Sequence, residues 1–141
     1  MSAKDVLKLM KSKNIEFVDL RFTDPRGKLQ HLTMDTTIVD EGMLNDGVFF
    51  DGSSIAGWKA INESDMILKP DLSRKVIDPY TSHNTLILFC DILDAVKRDP
   101  YERDPRGIAK KAEAYLKKTG IGDTAYFGPE PEFFVFDDVR F

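Results

Sequence analysis

Two acidic residues late in the chain, Glu130 and Glu132, have a spacing that suits shared metal binding. The neighbouring prolines, Pro129 and Pro131, favour extended backbone, and side chains two residues apart on an extended chain lie on one face. Their Cα atoms would lie about 7 Å apart. Two such carboxylates, with oxygens about 5 Å apart, would repel by ~3 kcal/mol at an effective dielectric of about 20. A divalent cation with oxygen ligands would offset this repulsion.

The same pair of glutamates has a second interpretation. The apolar run that follows, residues 133–136, predicts a strand that is buried on both faces. The glutamates would then lie at the mouth of that strand. A solvated pair at a strand end, with the prolines protecting a sheet edge, fits the same pattern. Spacing alone leaves both possibilities open.

A second candidate site is the segment Asp51-Gly52-Ser53-Ser54. Glycine permits a tight backbone turn, and a carboxylate beside two hydroxyl groups could bind a small cation or an ammonium ion. The same residue types are also typical of an ordinary turn in which Asp or Ser bonds to its own backbone. The local pattern is compatible with either.

The elements that would position these residues begin with a helix and a hairpin. Ser2 and Asp5 form a capping-box pattern before apolar residues at helical spacing. Apolar and polar residues then alternate over residues 16–23, and turn-forming residues at 24–27 precede a second extended stretch at 28–34. The sequence therefore predicts an amphipathic helix followed by a β-hairpin with one buried face.

Three further strands are predicted, at residues 66–68, 75–77 and 85–92. The last is apolar on both faces and is therefore expected to be central in the sheet. Between the hairpin and these strands the pattern weakens, with a short helix expected at 38–44 and a loop at 51–57. Together these elements predict a small mixed sheet in an α+β fold.

A domain boundary is predicted near residue 103. Two Asp-Pro pairs occur in a charged stretch there, and the second, Asp104-Pro105, is an N-cap followed by proline at the first helical position. The helix is expected to end at Gly120, and strands are expected at 124–127 and 133–136. One helix and two strands cannot complete a sheet, so we expect residues 104–141 to be the start of a truncated second domain.

The composition excludes several classes of protein. The chain has 141 residues, a net charge of −4 and 42% hydrophobic residues, which indicates a folded domain without the basic surface that binds nucleic acid. We expect no nucleic-acid partner and no membrane association, because there is neither a signal core nor a membrane-length apolar run. We therefore expect the protein to be cytoplasmic. The single cysteine, Cys90, is expected to be a buried core residue.

The segment Phe50-Asp51-Gly52-Ser53-Ser54, followed after eight residues by Glu63-Ser64-Asp65 and then Leu68, resembles the N-terminal signature of glutamine synthetases of the bacterial type I. Further stretches match this family at corresponding intervals: residues 17–23, 57–59, 61–66, 91–93, 103–106 and 127–134. The resemblance covers essentially the whole chain.

This resemblance implies a β-grasp N-terminal domain over residues 1–103 and the truncated start of an α/β catalytic domain over 104–141. It implies ATP-dependent ligation of ammonia to glutamate through γ-glutamyl phosphate, with two or three Mg²⁺ or Mn²⁺ ions at each site. By the same resemblance, Asp51 and Ser54 are ammonium-site residues, with Asp51 as the base. Glu130 is implied to bind the ion on the nucleotide side and Glu132 the ion near glutamate.

The implied assembly is a dodecamer of two hexameric rings whose active sites are shared between subunits. The other catalytic groups would lie beyond Phe141, so the chain alone is expected to be inactive. One alternative is a non-catalytic β-grasp module for oligomerisation or regulation. Another is a related γ-glutamyl ligase for a larger amine, against which the Asp51 and Ser54 pair argues.

Overall fold

The computed structural model describes residues 1–58 and 64–141. Within them the sheet has five strands, accompanied by three α-helices and two short 3-10 turns. The elements in chain order are α1 (Ala3–Ser12), β1 (Phe17–Thr23), β2 (Leu29–Asp35), a 3-10 turn (Thr36–Ile38), α2 (Glu41–Asp46), β3 (Val48–Asp51), a 3-10 turn (Gly52–Ser54), β4 (Asp65–Ile77), β5 (Thr85–Asp94) and α3 (Pro105–Thr119).

The predicted N-terminal helix and hairpin are confirmed. The Ser2 hydroxyl accepts a hydrogen bond from the Asp5 amide, and the Asp5 carboxylate accepts one from the Ser2 amide, so the capping box is complete. β1 and β2 pair antiparallel, with Leu20 opposite Leu32. The buried carboxylate of Asp24 accepts hydrogen bonds from the Lys28 amide and other turn groups, which holds the hairpin turn together.

The sheet has the strand order β2-β1-β5-β4-β3. β5 lies at its centre, parallel to β1 and antiparallel to β4, and β3 pairs antiparallel with β4 at the edge. The predicted central position of residues 85–92 and the mixed sheet are therefore confirmed. A parallel pair needs a long connection, and here the hairpin, α2 and two strands separate β1 from β5.

One core cluster joins the two N-terminal helices to alternate residues of the strands. Helix α1 contributes Ala3, Val6 and Met10, and α2 contributes Leu44. The strand residues in this cluster include Val18, Leu20, Phe22, Met66, Leu68, Leu86, Leu88, Cys90 and Ile92. Cys90 is fully buried, as predicted, and burial raises the pKa of its thiol well above the usual range, so it is inert.

Three details of the sheet region differ from the sequence-based expectation. The helix expected at 38–44 starts later, because Asp40 caps it by accepting from the Met43 amide. The strands expected at 66–68 and 75–77 are one strand, β4, with an irregularity between Pro70 and Lys75. The loop expected from Asp51 is preceded by a strand that was not predicted, β3, because four residues carry too little periodicity.

Helix α3 matches the prediction at both ends. The Asp104 side chain accepts from the Arg106 amide, Pro105 follows at the first position, and Gly120 ends the helix in the left-handed conformation. Ile108, Ala112, Tyr115 and Leu116 are spaced to form an apolar stripe along this helix, and within the described residues Ile108 and Tyr115 are exposed.

The strands expected at 124–127 and 133–136 are not formed. The chain after Gly120 is irregular and its large apolar side chains are exposed. A strand needs a partner for its backbone groups and a layer for its apolar face, and residues 121–141 have neither within the described chain. The expected buried strand beside Glu130 and Glu132 is therefore wrong for this chain.

Candidate functional site

Asp51 lies at the end of edge strand β3, where the chain turns into the 3-10 segment Gly52–Ser54. Strand pairing places Asp51 opposite Asp65 and Phe50 opposite Met66. The Gly52 amide then donates to the Ser64 carbonyl at 2.7 Å. The start of this turn is thus fixed to β4 and to the residue just before it, so the backbone position of Asp51 is set by the sheet.

The Asp51 carboxylate is exposed and organised by the hydroxyl groups beside it. One oxygen accepts from the Ser53 amide at 2.8 Å and from the Ser53 hydroxyl at 2.6 Å, and the other accepts from the Ser54 hydroxyl at 3.4 Å. These bonds from Ser53, with smaller contributions from Ser54 and Ser64, hold the pKa of Asp51 below its ordinary value. Asp51 is therefore a fixed negative charge at neutral pH.

Gly52 is required by the close packing beneath this turn. A Cβ atom at Gly52 would lie 2.2 Å from the Met66 sulfur and 2.9 Å from the Ser64 carbonyl oxygen. Gly52 is itself buried. No larger residue fits without moving β4 or the turn, so the glycine follows from packing as well as from turn chemistry.

An aromatic cluster supports the turn from the core side. Phe22, Phe50, Trp58 and Tyr101 form a chain of ring contacts with centroid distances of 5.3 to 6.0 Å. Trp58 is buried, 5% exposed, and its indole N–H meets no hydrogen-bond partner among residues 1–58 and 64–141. The residues on either side of the Asp51 turn, Phe50 and Trp58, are therefore joined by packed aromatic rings.

Glu130 and Glu132 lie in the exposed irregular chain after α3. Within residues 1–58 and 64–141, no three His, Cys, Asp or Glu residues are grouped closely enough to hold a metal ion. The structure therefore does not bring the two glutamates together with Asp51. Their carboxylate oxygens are the donors that Mg²⁺ and Mn²⁺ prefer, so their chemistry fits a divalent cation.

Two residues between β5 and α3, Tyr101 and Arg103, contact the segment after Asp51 and were not predicted from the sequence. Tyr101 and Arg103 donate to backbone carbonyls at Trp58 and Gly57. The only sequence signal was the match of residues 103–106 to the family pattern, which carries no contact information. Of the motif residues, Glu63 lies outside the described residues, as do Lys59, Ile61 and Asn62.

The sequence matches the family model of the glutamine synthetase β-grasp domain over residues 14–95. This match covers more than half of the chain. The chain belongs to the glutamine synthetase family. A second family model, that of the glutamine synthetase catalytic domain, matches residues 102–141.

Curated relatives extend this family assignment. The chain is 64% identical over 140 residues to a glutamine synthetase of Rhizobium meliloti and 57% identical over 141 residues to that of Escherichia coli K12. These matches cover 99% and 100% of this chain but only 30% of each relative. The chain therefore spans about a third of the length of these glutamine synthetases.

The fold agrees with that of the family. A solved glutamine synthetase of Plasmodium falciparum superposes with a TM-score of 0.77 and 26% identity, covering 87% of this chain and 24% of that one. The expected α+β fold with a β-grasp domain is confirmed. Among residues 1–58 and 64–141, no helix is long and apolar enough to span a membrane.

Proposed function

We propose that the whole protein to which this chain corresponds forms glutamine from glutamate, ammonia and ATP through γ-glutamyl phosphate. The observation that carries this proposal is the high identity to bacterial glutamine synthetases over 99 to 100% of the chain. Matches to both the β-grasp and the catalytic family models support it. The presence of both Asp51 and Ser54 favours ammonia over a larger amine.

In this proposal, Asp51 recruits ammonium by charge. Its lowered pKa keeps the carboxylate ionised, and one of its oxygens accepts two short hydrogen bonds from Ser53 while the other accepts a long one, 3.4 Å, from the Ser54 hydroxyl. That second oxygen can accept a hydrogen bond from an ammonium ion. A low pKa makes a strong attractor and a weak base, so deprotonation of ammonium needs a cover that excludes water from Asp51.

Glu130 and Glu132 are proposed metal ligands for Mg²⁺ or Mn²⁺, with ATP as co-substrate. When bound, such ions supply neutralisation of phosphate charge during phosphoryl transfer. The contribution of this chain is a pair of carboxylates two residues apart, flanked by prolines that limit their backbone freedom. Glu130 would serve the nucleotide-side ion and Glu132 the ion near glutamate.

The organisation of the whole protein is part of the same proposal. Residues 1–103 would form the β-grasp domain, and residues 104–141 would begin the catalytic domain. The protein would act in the cytoplasm as a dodecamer of two hexameric rings. The exposure of Asp51 and of the apolar stripe of α3 is consistent with a neighbouring subunit or further chain covering them.

The test is ATP-dependent glutamine formation by the full-length protein, with its native mass measured in parallel. We expect Asp51→Ala and Glu132→Ala to abolish activity, while the exposed control variants Asp46→Ala and Glu102→Ala retain it. The 141-residue chain alone is expected to be inactive. A native protein of about 16 kDa without activity would contradict the proposal and favour a non-catalytic β-grasp module.

A further inference from the structure

The linker between β5 and α3 folds back onto β5. The Tyr101 amide donates to the Ile92 carbonyl at 2.9 Å, and the Asp94 amide donates to the Asp99 carbonyl at 2.9 Å. Asp104 is 1% exposed, and its carboxylate accepts from the Ile92 amide at 3.1 Å. Residues 99–104 are therefore attached to the central strand of the sheet at several points.

Two side chains of this attached linker contact the segment that follows the Asp51 turn. The Tyr101 hydroxyl donates to the Trp58 carbonyl at 3.1 Å, and an Arg103 guanidinium nitrogen donates to the Gly57 carbonyl at 3.1 Å. The Tyr101 ring also meets the Trp58 ring edge to face, with centroids 5.9 Å apart. Consecutive carbonyls of one segment are thus held by one linker.

Ile55 and Trp58 anchor this segment in the core by burial, whereas its own backbone hydrogen bonds among the described residues are short-range. The Ile55 amide donates to the Gly52 carbonyl at 3.1 Å, and the Trp58 amide donates to the Ile55 carbonyl at 3.2 Å. Each of these bonds joins residues only three positions apart. Gly57 has a φ of +89°, a conformation that glycine adopts readily, and a Cβ added there would meet no described atom within 4 Å, so side-chain packing does not hold this position. Without an external support, movement at Gly57 would pass through these short turns to Ser54 and Asp51.

We infer that Tyr101 and Arg103 are positioning residues for the ammonium-binding turn. They hold the Gly57 and Trp58 carbonyls, and through them the far end of the turn that carries Asp51 and Ser54. Neither residue touches the reacting atoms. The consequence for the reaction depends on the proposed function, whereas the support of residues 52–58 does not.

The first test measures backbone hydrogen exchange in the 141-residue chain. Tyr101→Phe removes only the hydroxyl, and we expect exchange of the Ile55 and Trp58 amides to accelerate about fivefold, the effect of losing one hydrogen bond. Arg103→Met is expected to act in the same direction. The matched controls are Tyr80→Phe and Arg26→Met, which alter exposed side chains. Exchange rates equal to those of the controls would overturn the inference.

The second test uses steady-state kinetics of the full-length protein. We expect Tyr101→Phe to raise KM for ammonium about fivefold while KM for glutamate and for ATP stays within about twofold. Arg103→Lys, which keeps a donor, should restore more of the ammonium affinity than Arg103→Met. A uniform loss of activity with no selective change in ammonium KM would overturn the inference.

The two tests also separate this inference from the proposed function. If the wild-type full-length protein forms no glutamine, the proposed function fails, and hydrogen exchange still decides whether Tyr101 and Arg103 support the segment. If glutamine is formed but both variants behave like their controls, the proposed function stands and the positioning role is wrong.

Discussion

The carboxylate of Asp104 joins helix α3 to the central strand by accepting hydrogen bonds from the amides of both Arg106 and Ile92. Burial raises the pKa of Asp104, and these amide bonds act in the opposite direction. The Arg106 guanidinium donates to the carboxylates of Asp91 in β5 and Asp71 in β4, so the start of α3 is also bonded to these two strands. The direction of α3 relative to the sheet is therefore fixed by side chains.

Replacing Asp104 should destabilise the chain. Asp104→Ala removes an N-cap, worth about 1 kcal/mol, and leaves the buried Ile92 amide without an acceptor, worth about 1–3 kcal/mol. We expect the free energy of unfolding, measured with urea, to fall by about 2–4 kcal/mol as the sum of these two effects. The exposed control Asp46→Ala should change it by less than about 0.5 kcal/mol. Equal effects of the two variants would contradict the double role of Asp104.

Gly52→Ala should disturb the Asp51 turn through overpacking. The new methyl group would lie 2.2 Å from the Met66 sulfur, and the carbonyl of Ser64 limits the alternative direction. We expect a loss of about 1–3 kcal/mol in the free energy of unfolding. The matched control is Gly128→Ala, where a Cβ meets no atom of the described residues within 4 Å. A Gly52→Ala variant as stable as this control would show that Met66 moves aside freely.

The free energy of unfolding should change with pH in the acid range, in part because Asp19 titrates. Burial alone would raise the pKa of Asp19, but hydrogen bonds from Arg21, His31 and Thr33 lower it overall. A carboxylate with a lowered pKa stabilises the fold above its ordinary value near 3.8 and loses this contribution as pH falls through the depressed pKa.

The corresponding variant is Asp19→Asn. We expect it to be about 1–3 kcal/mol less stable than wild type near neutral pH, since charge-assisted hydrogen bonds are lost. The difference in free energy of unfolding between wild type and Asp19→Asn should become smaller as the pH is lowered from about 4 toward about 2. Urea unfolding at each pH measures it. The exposed control Asp46→Asn should differ little from wild type in free energy of unfolding, and this difference should not change with pH. A stability difference between Asp19→Asn and wild type that stays constant with pH would show that titration of Asp19 does not contribute to the pH dependence of stability.

The aromatic residues after α3 should promote self-association of the isolated chain. Phe133 and Phe134 are 82% and 85% exposed and adjoin further exposed apolar residues. We expect the double variant Phe133→Ser, Phe134→Ser to reduce concentration-dependent light scattering without lowering the melting temperature. Tyr80→Ser, at an isolated exposed aromatic residue, should leave scattering unchanged. Equal scattering of the double variant and wild type would show that this segment is not the cause.

Metal binding should require more than this chain. Because Glu130 and Glu132 are exposed and no third acidic or histidine ligand joins them within the described residues, we expect no saturable Mn²⁺ binding by the isolated chain in calorimetry at micromolar concentrations. The full-length protein should bind Mn²⁺, and Glu130→Gln should weaken that binding. The exposed Glu102→Gln is the control. Tight binding by the isolated chain would show that the two glutamates suffice.

Several elements could be predicted from sequence because local rules determine them. The capping box at Ser2, the turn after Thr23 and the ends of α3 depend on residues within a few positions of one another. The central place of β5 followed from its apolar character on both faces. The short strand β3 and the continuity of β4 were not predictable, because pairing with distant residues stabilises them.

By itself, the sequence determined the family, the polar turn at Asp51 and the candidate metal ligands Glu130 and Glu132, because motif spacing and residue chemistry are properties of the linear chain. Only the tertiary structure decided that Tyr101 and Arg103 support the segment after that turn, because their partners are backbone carbonyls more than forty residues away. It also decided that residues 133–136 form no strand here. Their apolar pattern favours one, but a strand exists only where another strand supplies its hydrogen bonds.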